Sequence, residues 1–169
     1  QDGDELGTIT FTGADGTDRF RGGAKIVGRA DGSQAENNMP GRLEFFTNSG
    51  STDPSEKMRI DSSGRLLLGT TTAGHADLDD LTIATSGNTG ITIRSGTSNN
   101  GILGFADGTS GNAQYMGFVQ YSHSDNAMSF NTNDGERMRI TSAGDLLMGT
   151  TSASGFDSFG SNTGGIILD

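Results

Sequence analysis

The chain has 169 residues, with 28 Gly, two Pro, no Cys and no Trp, and only 31% of it is hydrophobic. That rules out a disulfide framework; the apolar set plus Gly reaches the roughly 45–50% of an ordinary globule only because Gly inflates it, so core-forming side chains are few. The formal charge of −10, with 11 Lys and Arg against 21 Asp and Glu, argues against a nucleic-acid partner, which needs clustered basic residues; no stretch approaches the ~20 apolar residues of a membrane-spanning helix.

Disorder would show no periodicity and few aromatics. Here nine Phe and two Tyr sit with Ile, Leu and Met in short alternating runs. The chain is therefore expected to fold and to share its core between copies. Helix signals are scarce, because Gly interrupts the sequence at about 1 kcal/mol per interior helical position relative to Ala.

Strand signals follow in chain order: TITFT (8–12), AKIVGR (24–29), RLEFFT (42–47), KMRID (57–61), RLLLGT (65–70) and LTIAT (81–85). ITIRS (91–95), ILGFA (102–106), YMGFVQY (115–121), AMSFNT (127–132), RMRIT (137–141) and DLLMGT (145–150) continue the series. Asp-Gly pairs at Asp15, Asp31, Asp107 and Asp134 fall between them. Such pairs suit hairpins because both residues tolerate positive φ. The fold class expected is all-β, with almost no helix.

One phrase occurs twice. EKMRIDSSGRLLLGTTTA (56–73) returns as ERMRITSAGDLLMGTTSA (136–153). Strand alternation puts Met58 with Ile60 and Leu66 with Leu68 on one face, leaving Leu67 on the other. The second copy keeps this with Met138, Ile140, Leu146, Met148 and Leu147. Gly64 and Gly144 fit a left-handed turn position. Gly69 and Gly149 mark a bend or a close backbone approach. Upstream, LEFFTN (43–48) matches MSFNTN (128–133), and ITFTGADGT (9–17) matches LGFADGT (103–109). The expected organisation is a first β unit (1–73), a Gly/Ser/Thr-rich connector with short strands (74–100), a second unit (101–153) and the start of a further connector (154–169).

This combination of Met-Arg-Ile, a turn, Gly and Gly-Thr-Thr resembles the repeat of bacteriophage tail fibres and virion stalks, of the type found upstream of endosialidase-type intramolecular chaperones. The resemblance implies an elongated homotrimer, intertwined or packed as a β-prism or triple β-helix, which projects from an extracellular virion and supports attachment to a host surface. Three copies of Met58, Ile60, Leu66 and Leu68, and of Met138, Ile140, Leu146 and Met148, would then form the core that a single chain lacks. Each buried Leu or Ile contributes about 1.5–3 kcal/mol.

Candidate chemistry is thin. His75 and His123 are the only histidines, and no His-x-His pair offers a metal site, so neither metal nor cofactor is expected. Asp77, Asp79 and Asp80 lack the glycine and distal Glu of a calcium loop and read as an acidic turn. Glycan hydrolysis needs two carboxylates about 5–9.5 Å apart in a cleft; Glu36 with Glu44, or Asp15 with Asp18, are the pairs available. No nucleophile elbow or phosphate loop is present, and the chain is expected not to be an enzyme. The alternatives are a fragment of a polysaccharide-degrading tailspike and a bacterial surface adhesin or filament. For a host saccharide, the candidate contacts are Tyr115, Tyr121, His123, Asp125 and Asn126, although the same segment reads more readily as a strand burying its aromatics. The pairs Arg59 with Glu56 and Arg139 with Glu136 are expected to be salt bridges between strands or subunits.

Overall fold

The structure is a computed structural model that describes residues 1–17, 20–149 and the strand at 166–168. Asp18, the last residues of the second repeat phrase and, apart from that strand, the 154–169 connector lie outside the described residues. The chain divides into two compact units, Gln1–Gly90 and Ile91–Asp169.

The first unit is one six-stranded sheet in sequential order: β1 (Glu5–Gly13), β2 (Arg21–Ala30), β3 (Gly41–Thr47), β4 (Ser55–Ile60), β5 (Leu66–Leu68) and β6 (Leu81–Ile83). All neighbours pair antiparallel except β5 with β6, which are parallel. The second unit repeats this plan with β7 (Asn100–Phe105), β8 (Gly117–Ser122), β9 (Ala127–Thr132), β10 (Gly135–Ile140), β11 (Leu146–Met148) and β12 (Ile166–Leu168), where β11 and β12 are the parallel pair. A single 3-10 turn at Gly111–Gln114 is the one helical element among the described residues. The all-β expectation holds.

Local chemistry explains the turns. Gly64 and Gly144 sit at φ +83° and +90°, closing the β4–β5 and β10–β11 hairpins where a Cβ would be strained. The Asp61 side chain accepts the backbone N–H groups of Ser63 and Arg65 at 3.0 Å each. The β9–β10 hairpin turns on Asn133 and Asp134, both left-handed at φ +50° and +57°, so the turn lies one residue earlier than its Asp-Gly dipeptide suggests. Gly69 is left-handed as well, and a Cβ there would lie 2.3 Å from the Ala84 carbonyl oxygen. The parallel β6 strand runs too close to permit a side chain.

Three local expectations are corrected. ITIRS (91–95) is no strand. Ile91 and Ile93 line one cavity with Leu103, Val119, Tyr121 and Met128 of the second sheet, so they lie across its face rather than joining an edge. β8 begins at Gly117 rather than Tyr115, because Tyr115 closes the 3-10 turn through its N–H to the Asn112 carbonyl. Within the chain, the Arg–Glu pairs lie within single strands rather than between strands. Arg59 holds Glu56 through two bonds of 2.6 Å, and Arg139 holds Glu136 at 2.8 and 2.7 Å. A register shift between Glu136 and Met138, matched beside Glu56, adds one residue to each strand. That brings residues three apart onto the same face.

Candidate functional site

The register sorts each sheet into two chemically distinct faces. In the first unit, Ile9, Ile26, Phe45, Met58, Leu68 and Ile83 pair in sequence across all six strands. The adjacent row on the same face is Gly7, Gly28, Leu43, Ile60, Leu66 and Leu81. Neither row contains a polar side chain. The second unit carries the same pattern: Leu103, Val119, Phe130, Met138 and Met148 in one row, and Gly101, Tyr121, Met128, Ile140 and Leu146 in the next. All eight residues expected in a shared core fall on these two faces, four on each.

The apolar faces are largely exposed in the single chain, the second being crossed in part by Ile91 and Ile93. Ile9 is 60% exposed, Ile60 41%, Leu81 51%, Leu103 56% and Ile140 42%. Isolated exposed apolar residues are ordinary, but two contiguous sheet faces of them mark an interaction surface. The fully buried large side chains, Leu67, Leu147 and Val27, lie on the opposite faces. There the β5–β6 crossover is fastened by the Gly74 N–H to the Thr82 hydroxyl at 3.0 Å; Thr82 pairs with Leu67. The crossover thus covers the polar side and leaves the apolar side bare.

The polar face of the first unit holds a charge network. Glu44 is 2% exposed and accepts from Arg29 at 2.9 Å and Arg42 at 2.7 Å, with Arg59 at 3.5 Å. Arg42 continues to Asp31 at 2.9 Å. Burial alone would raise the Glu44 pKa, but hydrogen bonds and charge from Arg42 and Arg29 outweigh it and hold the carboxyl below its ordinary value. Asp31 is lowered likewise: bonds from Ser62 and Arg42 overcome its desolvation. The matched positions of the second unit are quieter, with buried Ser129 and Asn131 hydrogen-bonded to each other at 3.1 Å.

Four of the five candidate saccharide contacts lie at one end of β8 and the fifth at the other. Tyr115 stands before β8, while His123, Asp125 and Asn126 follow its far end. Tyr121 belongs to an apolar row, and His123 lies edge-on to its ring with centroids 5.0 Å apart. Asp125 is engaged by the Ser122 hydroxyl at 3.0 Å. Tyr121 and His123 line the cavity of about 370 Å³ under Ile91 and Ile93. The Tyr121 hydroxyl also donates to Asn126 Oδ1 at 3.3 Å, so Tyr121, His123 and Asn126 meet at the β8–β9 end with Asp125 in the same turn, and Tyr115 stands apart from them.

Glu36 sits exposed in the β2–β3 loop whereas Glu44 is bound at both oxygens. Such a carboxylate is held ionised and unsuited to act as a general acid. Asp79 is tied to Arg65 at 2.8 Å. Among the described residues no group of three or more His, Asp or Glu is placed to hold a metal ion. The Glu44 network escaped sequence reading. Its only trace was three arginines (Arg29, Arg42, Arg59) at outward strand positions around one Glu.

No protein-family model matches the chain, and no curated protein matches it. Among solved structures it is similar to the carboxy-terminal domain of the bacteriophage T5 L-shaped tail fibre, at 14% identity and a TM-score of 0.41, covering 96% of this chain and 85% of that one. The same domain with its intra-molecular chaperone domain is similar at 14% identity and a TM-score of 0.40, covering 92% of this chain and 57% of the other.

Proposed function

We propose that the chain is a non-enzymatic segment of a bacteriophage tail fibre that assembles as a homotrimer. The observation that carries this reading is the uncovered apolar face of each unit. A single-layer sheet with one greasy face is half a core, and a domain needs at least two packed layers. Three copies turned inward would bury both rows of each face around one axis and leave the Glu44 side outward. The half-exposed Ile and Leu side chains would each contribute a share of the roughly 1.5–3 kcal/mol expected for full burial, enough in sum to offset the ordering of a Gly-rich backbone. Three is the number that the doubled phrase implies through its resemblance to fibre repeats; two sheets face to face would cover the same surface, and the mass of the assembly separates these cases.

In this role the protein works mechanically, as a spacer that presents loops to a host surface. The regions that differ between units, at residues 49–56, 75–80 and 115–126, are where saccharide contact is proposed, because loops on a rigid scaffold vary at little cost to the fold. The test is adsorption. Replacing these three regions while the trimer is retained should lower binding to host cells. Release of reducing sugar from capsular polysaccharide or lipopolysaccharide by the purified chain would contradict the non-enzymatic reading.

A further inference from the structure

Gly7 and Gly28 are partners across β1 and β2, side by side on the apolar face of the first unit. Neither has a left-handed φ. A Cβ on Gly7 would meet nothing within 4 Å, and one on Gly28 only the Gly7 carbonyl oxygen at 3.9 Å. A bulge lies between Glu5 and Gly7, but at an ordinary φ a bulge accepts any residue. Nothing in the single chain therefore requires glycine at either place. Glycine in a strand interior is nevertheless unfavourable, and it often marks a site where another backbone or a ligand approaches.

Some glycines elsewhere meet neighbours that the single chain supplies. Gly69 faces the Ala84 carbonyl, and a Cβ on Gly117 would touch the Phe105 side chain at 3.8 Å. Most telling is Gly101, which occupies the Gly7 position in the second unit. There the Ile93 carbonyl oxygen lies 3.5 Å from where a Cβ would be, so an extended segment already fills the space. In the first unit Gly28 stands where the second has Tyr121, and no described residue lies within 4 Å of a Cβ on Gly7.

We propose that the notch over Gly7 and Gly28 is a seat for a second copy of this chain, whose apolar face inserts where the two missing Cβ atoms would stand. This rests on the homotrimer reading above. The occupant is apolar because Ile9, Ile26 and Leu43 border the notch and no charge lies in the adjacent rows. A second copy supplies such a surface in matching extent, with Phe11 55% and Leu81 51% exposed on that same face.

The experiment compares Gly28→Val and Gly7→Val with Gly104→Val by sedimentation equilibrium of the full chain, with circular dichroism of each sample. Gly104 is an equally unhindered glycine at an ordinary φ, but it pairs with Phe118 on the opposite face. Expected is a dissociation constant raised more than about tenfold for the two notch variants, since overpacking is repeated in every copy, and none for Gly104→Val. If wild type and Gly28→Val assemble equally tightly, the notch is overturned while the trimer stands. A wild type that stays monomeric overturns the trimer and the notch with it. Should Gly28→Val lose its β spectrum, Gly28→Ala decides: weaker assembly with an intact spectrum supports the seat, and unchanged assembly removes it.

Discussion

The two units agree in the character of their apolar face and differ in the charge network of the other. Met58 and Met138, Ile60 and Ile140, Leu66 and Leu146 hold equivalent places on the apolar side, as do Phe45 and Phe130. On the polar side Glu44 with its arginines is replaced by Ser129, Arg42 by Ala127 and Val27 by Gln120. On the homotrimer reading, a face that meets other copies is constrained to stay apolar. A face that meets solvent and its own crossover has several solutions, either an ion network or a short hydroxyl–amide chain. The apolar rows stay free of charge in both units even where Gly28 is matched by Tyr121, whereas the opposite face keeps Leu67/Leu147 and Arg59/Arg139 but exchanges the charge network around them.

The largest expected effect tests the shared side. Leu66→Asp and Leu146→Asp should each abolish assembly, because unpaired carboxylates would be gathered into an apolar layer at a cost of several kcal/mol per ion. Size-exclusion chromatography coupled to light scattering reads this, and an effect in only one unit would break the equivalence. The next tests the side that differs. Glu44→Ala strands Arg29 and Arg42 on a largely buried face and should destabilise the first unit by about 3 kcal/mol. Ser129→Ala, at the matched place, should cost about 1 kcal/mol, as followed by urea unfolding. Gly69→Ala should cost about 1–3 kcal/mol, from a left-handed backbone and the adjacent Ala84 carbonyl.

Acid sharpens the same contrast. Glu44, Asp31 and Asp61 have pKa values lowered by folding. Their stabilisation is complete above the unfolded carboxylate range and is lost as the pH falls through about 4 and below. Hydrogen exchange at pH 3 should therefore accelerate first in β2–β4, with β8–β10 protected longer; uniform acceleration would deny the Glu44 network its role. Smallest of all, Met148→Leu should change stability by less than about 1.5 kcal/mol, because it conserves volume on an apolar row.

Much of this was legible in residue order. Alternation in MRID and RLLLGT already separated Leu67 and Leu147 from their neighbours, and the recurrence of Gly64 and Gly144 located both hairpins. Pairings between strands distant in sequence left fainter marks. The parallel β5–β6 contact was signalled only by Gly69, and the Glu44 network needed register, since β2, β3 and β4 must align before its arginines converge. ITIRS misled because alternation reports a two-faced extended segment and not whether an edge is there to receive it. The Glu56–Arg59 spacing misled for the opposite reason, a bulge that alternation cannot foresee.

The central claim is that the apolar faces are covered by other copies of the chain. Native mass spectrometry of the intact protein at micromolar concentration tests it most directly. The account predicts a species of three times the 17.5 kDa chain mass. A folded monomer with a cooperative thermal transition would contradict it.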